Sequence, residues 1–311
     1  MNMLLDILLI IIGVALVLKG ADFLTEGASA LARRMHVPEI VIGLTIVAAG
    51  TSAPELFVSV VSALSDTPDL AVGNVVGSNT MNCMLIVGTA AMVAPMTISR
   101  STVKKDIPFS VAASVLLMLI AFDSFLGRFD GILLLIGFAA FMAYTLMQAK
   151  KGQTETVEEV KQQNPWLSAF YIVAGLALLV VGSNLFVDSA SSVAAALGVS
   201  EGVIGLTVVA GGTSLPELAT SVVAARKGQS AIAIGNVIGS NVFNILLILG
   251  LTATISPMQI EGITTIDMAV MLLSVALVWL FSFTRFTVER WEGAILVGGY
   301  LVYLGWLISN L

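Results

Sequence analysis

The chain has 311 residues, of which 58% are hydrophobic and only 11% charged, with a mean hydropathy of +1.01. A water-soluble domain carries about 25% charged residues, so this composition excludes a soluble fold and implies a polytopic membrane protein. A single Cys (Cys83), a single His (His36) and a net charge of −6 exclude a disulfide framework, CxxC chemistry, a His-based triad and a nucleic-acid partner.

Crossing about 30 Å of hydrocarbon takes roughly 20 mostly apolar residues per helix. Broken at polar and Gly/Pro punctuation, the chain predicts ten such helices, near residues 3–18, 40–64, 70–93, 109–122, 132–147, 167–187, 203–225, 231–255, 266–283 and 294–308. The first and sixth have room to extend into 21–32 and 188–197. No cleavable signal peptide is expected, because no basic stretch or A-x-A site flanks the first apolar run. The stretch 150–164, rich in Gln, Glu and Lys, reads as a solvated linker too short for a regulatory domain. The expected organisation is residues 1–149, a cytoplasmic linker at 150–165, and residues 166–311.

Basic residues orient this arrangement. Arg33 and Arg34 follow the first helix; Arg100, Lys104 and Lys105 the third; Lys150, Lys151 and Lys161 the fifth; Arg226 and Lys227 the seventh; Arg285 and Arg290 the ninth. Cytoplasmic loops carry the Lys/Arg excess, so these loops are expected in the cytoplasm, with both termini outside a cell (plasma or inner) membrane.

The halves are copies. The run from Gly43 to Leu56, GLTIVAAGTSAPEL, matches GLTVVAGGTSLPEL from Gly205 to Leu218, and GNVVGSNTMN from Gly73 matches GNVIGSNVFN from Gly235. The offset is constant at 162 residues, as from Glu55 to Glu217 and from Asn82 to Asn244. Five helices per copy is an odd number, so the second copy enters the membrane from the opposite side. The fold class is all-α: ten transmembrane helices in two inverted five-helix repeats. Secondary transporters carry this signature, with sites near the midplane where interrupted helices meet; a duplication without a transport role is the alternative.

The repeated polar residues carry chemistry. Glu55 and Glu217 lie inside predicted helices, where a carboxylate is costly unless paired, protonated or facing a polar cavity. No Lys or Arg lies near them in either helix interior, which makes a bound cation the natural partner; a hydrogen-bonded pair of glutamic acids is the other reading. Pro54 and Pro216 break the backbone ladder just before them, which is expected to free the carbonyls around 48–51 and 210–213. Ser78 and Asn82, like Ser240 and Asn244, are spaced i, i+4 and share a helix face. Thr51 and Ser52 with Glu55, and Thr213 and Ser214 with Glu217, do likewise. Carboxylates, amide oxygens, hydroxyls and carbonyls suit a hard cation such as Ca²⁺ or Na⁺, although Ser and Asn alone also glue membrane helices together. Two Glu contribute −2, which one Ca²⁺ or two monovalent ions neutralise. Glu39 and Glu201 also obey the offset, but sit at helix starts where they complement the dipole. Glu26 and Asp188 form another repeated pair, open to gating or simple solvation.

The doubled G-x-x-x-x-A-x-G-T-S-x-P-E and G-N-x-x-G-S-N-x-x-N motifs resemble the alpha repeats of the calcium/cation antiporter superfamily. Within it the chain is most similar to prokaryotic members of the sodium/calcium exchanger family, over nearly its whole length. The resemblance implies a transporter rather than an enzyme, without a cofactor or an obligatory protein partner, in which Na⁺ moving down its gradient drives Ca²⁺ across the bilayer by alternating access. It implies that Glu55 and Glu217, with the carbonyls of Thr51 and Thr213, coordinate Ca²⁺. Ser52, Ser214, Ser78, Ser240 and the carbonyls of Ala48 and Ala210 would serve flanking Na⁺ sites, with Asn82 and Asn244 lining the centre. Some members carry Asp at one of these last two positions; Asn at both leaves two ionisable groups instead of three. Two other functions remain open on residue types alone: a Ca²⁺/H⁺ exchanger using the same two Glu, and a passive cation channel.

Overall fold

Residues 3–152, 165–198 and 210–309 are described in the computed structural model of the chain. Most of the expected linker, the start of the seventh helix and Glu201 lie outside the described residues. Ten helical segments follow in the expected order. They are α1 (Met3–Met35), α2 (39–64, in two arms, Glu39–Thr51 and Ala53–Leu64), α3 (Pro68–Val93), α4 (Thr102–Asp123) and α5 (Arg128–Lys150). The second half holds α6 (Pro165–Ala196), α7 (described over 210–226), α8 (Ser230–Ile255), α9 (Thr265–Ser282) and α10 (Arg290–Ser309). Among the described residues, eight helices are long and apolar enough to cross a membrane, and the bent α2 makes a ninth. The described part of α7 supplies the rest of the tenth. The molecule is an all-α membrane protein of two inverted five-helix repeats.

α1 and α6 run well past their apolar stretches, to Met35 and Ala196. The first polar residues do not stop α1, because Lys19 and Asp22 pair one turn apart at 3.1 Å on its surface and the helix rests along α6. Small residues set that seam. A Cβ on Gly13 would lie 2.8 Å from the Gly182 carbonyl oxygen, and one on Gly20 would lie 2.8 Å from that of Gly175. Gly13 and Gly175 are repeat mates, as are Gly20 and Gly182, so the two helices run antiparallel about a two-fold axis.

Four two-residue strands show the inversion directly. β1 (Met96–Thr97) follows α3 and β2 (Phe125–Leu126) follows α4; their repeat mates are β3 (Met258–Gln259) after α8 and β4 (Thr287–Val288) after α9. Within one repeat the two strands lie at opposite ends of α4. Yet β1 pairs with β4, and β2 with β3, both antiparallel. Were the halves threaded in the same direction, β4 would lie at the face of β2 and could not reach β1. Crossed pairing therefore requires opposite insertion.

Enclosure follows from this symmetry. The apolar window of α8 is 94% buried and that of α3 78%, against 17% for α5 and α10. α3 and α8 form the centre with the broken α2 and α7, whereas the outer helices expose apolar side chains such as Phe122, Phe129 and Val302 that a bilayer would cover.

The Gly seam makes a stability prediction. Gly20→Ala would force a Cβ against backbone atoms at 2.8 Å, a strain of about 1–3 kcal/mol. It should lower the melting temperature of the purified protein in detergent. Gly298→Ala in α10, whose Cβ would meet no described atom within 4 Å, should leave it unchanged or slightly raised.

Candidate cation centre

Pro54 has no N–H for the Gly50 carbonyl, and its ring crowds that turn. The two arms of α2 consequently meet at 47°, with Ser52 at the hinge out of helical geometry (φ −82°, ψ 7°). Pro216 repeats the break in α7, where Ser214 has φ −90° and ψ 6°. The break is narrow. From sequence the Ala48 carbonyl is expected to be free, but it keeps the Ser52 N–H at 2.9 Å and sits 3.4 Å from the Thr51 hydroxyl. Its second lone pair is all it has to offer a ligand.

The hinge residues serve the opposite repeat. Ser52 Oγ donates to Glu217 Oε1 at 3.1 Å, and Ser214 Oγ donates to Glu55 Oε1 at 3.2 Å. Spacing alone puts each Thr-Ser pair on the same face as its own Glu. The hinge turns it instead across the two-fold, so each half clamps the other's carboxylate. Ser214 Oγ also lies 3.1 Å from Ser78 Oγ on α3, and Ser240 Oγ on α8 donates to Glu217 Oε1 at 3.4 Å. The expected Ser ligands are thus all beside the acids, and Asn82 and Asn244 follow one turn further along α3 and α8.

A layer of amides holds this arrangement. Asn74 Nδ2 donates to the Glu55 carbonyl (3.1 Å) and to Ser59 Oγ (3.0 Å). Its repeat mate Asn236 donates to the Glu217 carbonyl (3.3 Å) and to Ser221 Oγ (3.0 Å), and its Oδ1 accepts the Thr51 hydroxyl (3.0 Å). Asn82 Nδ2 is tied to Asn241 Oδ1 (3.0 Å), and Asn244 Nδ2 to Asn79 Oδ1 (2.9 Å). With the nitrogens engaged, the oxygens of Asn82 and Asn244 are left without a partner among the described residues. Both residues sit in π-helical turns, Asn82–Ile86 and Phe243–Leu249, a local widening often found at functional sites.

Four side-chain oxygens around this centre are buried with no hydrogen-bond partner among the described residues: Glu55 Oε2, Glu217 Oε2, Asn82 Oδ1 and Asn244 Oδ1. All four residues are only 1% exposed. Leaving one buried polar atom unsatisfied costs about 1–3 kcal/mol, more for a charged group. Here there are four, one from each of α2, α7, α3 and α8, two of them carboxylate oxygens. The two acids lie close enough to feel each other's charge. No described basic side chain pairs with either, and no described trio of Asp, Glu, His or Cys gathers anywhere. Two carboxylates flanked by two amide oxygens suit a hard cation.

Glu39 accepts a hydrogen bond from Ser29 and lies 3.9 Å from Arg33, tying α2 to α1. Sequence reasoning gave Asn74, Asn79, Asn236 and Asn241 no role, although they obey the same offset and stand inside the repeated motifs. Their spacing does not show that they work by turning other side chains.

Known proteins resemble this chain over nearly its whole length. A family model for the sodium/calcium exchanger protein matches residues 5–147 and 167–309. The inner membrane protein YrbG of Escherichia coli (strain K12) is 37% identical over 98% of this chain and 97% of its own. The sodium/calcium exchanger MaX1 of Methanosarcina acetivorans is 32% identical over 96% and 97%. A solved structure of the sodium-calcium exchanger NCX_Mj, soaked with 10 mM Na⁺ and 10 mM Sr²⁺, superposes with a TM-score of 0.86 at 31% identity, covering 98% of this chain and 99% of that one.

A ligand that satisfies the four oxygens must stabilise the fold. At a hundred times its dissociation constant Ca²⁺ should add about 2.7 kcal/mol, seen as a rise in melting temperature. Glu55→Gln and Glu217→Gln should each remove most of that rise.

Proposed function

The chain belongs to the sodium/calcium exchanger family, a secondary active antiporter exchanging Na⁺ for Ca²⁺ by alternating access, and from that premise we propose how its centre performs the exchange. Ca²⁺ is held by Glu55 and Glu217 with the carbonyls of Thr51 and Thr213, and Asn82 and Asn244 line the same position. Na⁺ takes flanking positions against Ser52, Ser78, Ser214 and Ser240 and the carbonyls of Ala48 and Ala210. The observation that carries this reading is the set of four unpartnered buried oxygens, one on each of four helices. The names of the relatives, MaX1 and NCX_Mj among them, support the ions.

Charge explains why the exchange is coupled. Empty, the centre holds two carboxylates that hydroxyls, those of the hinge serines and Ser240 among them, reach, with no described basic side chain paired to either. Switching the barrier past bare charges at membrane depth is costly. One Ca²⁺ neutralises both, and so do two Na⁺. Loaded states therefore switch readily and the empty state does not, so an ion leaves only in exchange for another. The two-fold supplies both states, because each repeat can take the shape its mate has. The close Gly contacts along α1 and α6 give those helices a flat seam on which to move. The basic loops, by the positive-inside rule, support a cytoplasmic face bearing β1 and β4 and both termini outside. The division at 150–165 follows the same repeat.

In proteoliposomes, an outward Na⁺ gradient should drive uptake of radiolabelled Ca²⁺, and a pH gradient without Na⁺ should leave it at background. Glu55→Gln or Glu217→Gln removes one partner of a buried charged contact, a loss of roughly 3–5 kcal/mol. Uptake should then fall by about two orders of magnitude or more with expression intact. Uptake driven by pH alone would favour the proton-coupled reading instead.

A further inference from the structure

A cavity of about 470 Å³ lies at the face that bears the basic loops, among the start of α2, the start of α4, the end of α5 and the start of α8. Against an apolar floor that includes Ile40, Leu44 and Ile234, one wall carries Glu39, Ser101, Thr102, Asp106 and Thr145. Glu39 is already engaged by Ser29 and Arg33. Asp106 is not. It is 2% exposed, the Thr102 side chain bonds its carboxylate, and its Oδ1 is buried with no hydrogen-bond partner among the described residues. Asp106 also closes a π-helical turn, Thr102–Asp106, like the turns that carry Asn82 and Asn244.

This corner departs from the internal repeat. Asp106, Ser101 and Thr145 have Met268, Ile263 and Leu307 as their mates. The mate of the π-helical turn opens a regular helix with a capping box between Thr264 and Asp267. A helix-packing role would have a mate on the opposite face; Asp106, Ser101 and Thr145 have no polar mate there, although Glu39 and Thr102 keep theirs in Glu201 and Thr264.

The cavity also points toward the centre. Its floor includes Leu44, one helical turn, about 6 Å of rise, before Ala48. Beneath it α2 and α8 close backbone to backbone: a Cβ on Gly43 would meet the Gly235 Cα at 3.1 Å, and one on Gly239 would meet the Ala48 Cβ at 2.7 Å. A cation entering from this face stops here until the barrier moves.

We propose that this cavity is a second cation site, a staging position in which Asp106, with the hydroxyls of Ser101, Thr102 and Thr145, holds Ca²⁺ at the mouth of the pathway on the basic face. The inference rests on the antiport reading above and adds a sidedness that the two-fold centre lacks. The carboxylate raises local Ca²⁺ at the entrance and sets the concentration at which that face saturates, without setting the rate of switching.

The test is Ca²⁺ flux against Ca²⁺ concentration in proteoliposomes of controlled orientation. Losing one charge-assisted ligand in Asp106→Asn should raise the half-saturating Ca²⁺ concentration on the basic face about tenfold. The maximal rate, and half-saturation from the opposite face, should stay as in the wild type. Asp106→Glu should retain most of the wild-type behaviour, and flux from the opposite face reports how much of each variant is folded. Half-saturation unchanged on the basic face, or raised equally on both, overturns the staging site. Glu55→Gln reports separately on the centre. Abolished exchange in that variant beside unaltered Asp106→Asn kinetics defeats this inference alone, and a wild-type protein that moves no Ca²⁺ from either face defeats the reading beneath it.

Discussion

Two carboxylates buried at membrane depth, with no basic partner among the described residues, govern the rest of the molecule. Glu55 and Glu217 are each enclosed almost completely, and hydrocarbon offers them no water. A protein can answer that cost with a Lys or Arg, which would be a permanent ion pair and an inert one. It can also answer with hydroxyls that satisfy one oxygen of each acid and leave the other for a ligand. This chain takes the second course. Stability is thereby given up where a transient ligand can restore it, which is the condition a carrier needs.

The two-fold turns that local device into a machine with two faces. Crossed clamps, in which Ser52 holds Glu217 and Ser214 holds Glu55, make each half depend on the hinge of the other. Movement of one arm of α2 therefore changes the surroundings of the acid on α7, and the reverse. The small crossed sheets β1–β4 and β2–β3 tie the halves at both faces. Departures from the two-fold then carry information about sidedness. Lys227 on the basic face pairs with Asp22 of α1 and donates to Thr25, where the repeat mates of Lys227 and Asp22 are the uncharged Ser65 and Asn184. The acidic corner around Asp106 is another such departure.

Much of this was legible in the residues. Apolar runs counted the helices, and an odd number per repeat required inversion. Buried acids without bases pointed to a cation. Pro54 and Pro216 located both breaks. What spacing could not supply was direction at a break. An i, i+3 or i, i+4 rule assumes continuous helix, so it assigned Thr51 and Ser52 to the face of Glu55, whereas the hinge at Ser52 swings that hydroxyl to Glu217. It also passed over Asn79 and Asn241, whose task is to hold the amide nitrogens of Asn82 and Asn244; a side chain that orients another leaves no mark in composition or period. The extensions of α1 and α6 that the sequence allows, into 21–32 and 188–197, are present, to Met35 and Ala196. A hydropathy run ends at the first charge, but a helix packed on its partner continues through it.

The central claim is that the unpartnered oxygens of Glu55, Glu217, Asn82 and Asn244 share one ion. Anomalous diffraction from crystals of this protein soaked in Sr²⁺, a heavier stand-in for Ca²⁺, tests it most directly. The account predicts one strong peak within roughly 3 Å of both Glu55 Oε2 and Glu217 Oε2, near the oxygen distances that Ca²⁺ prefers, and its loss in Glu217→Gln. A peak bound to one carboxylate alone, or none between them with the ion elsewhere in the membrane region, would contradict it.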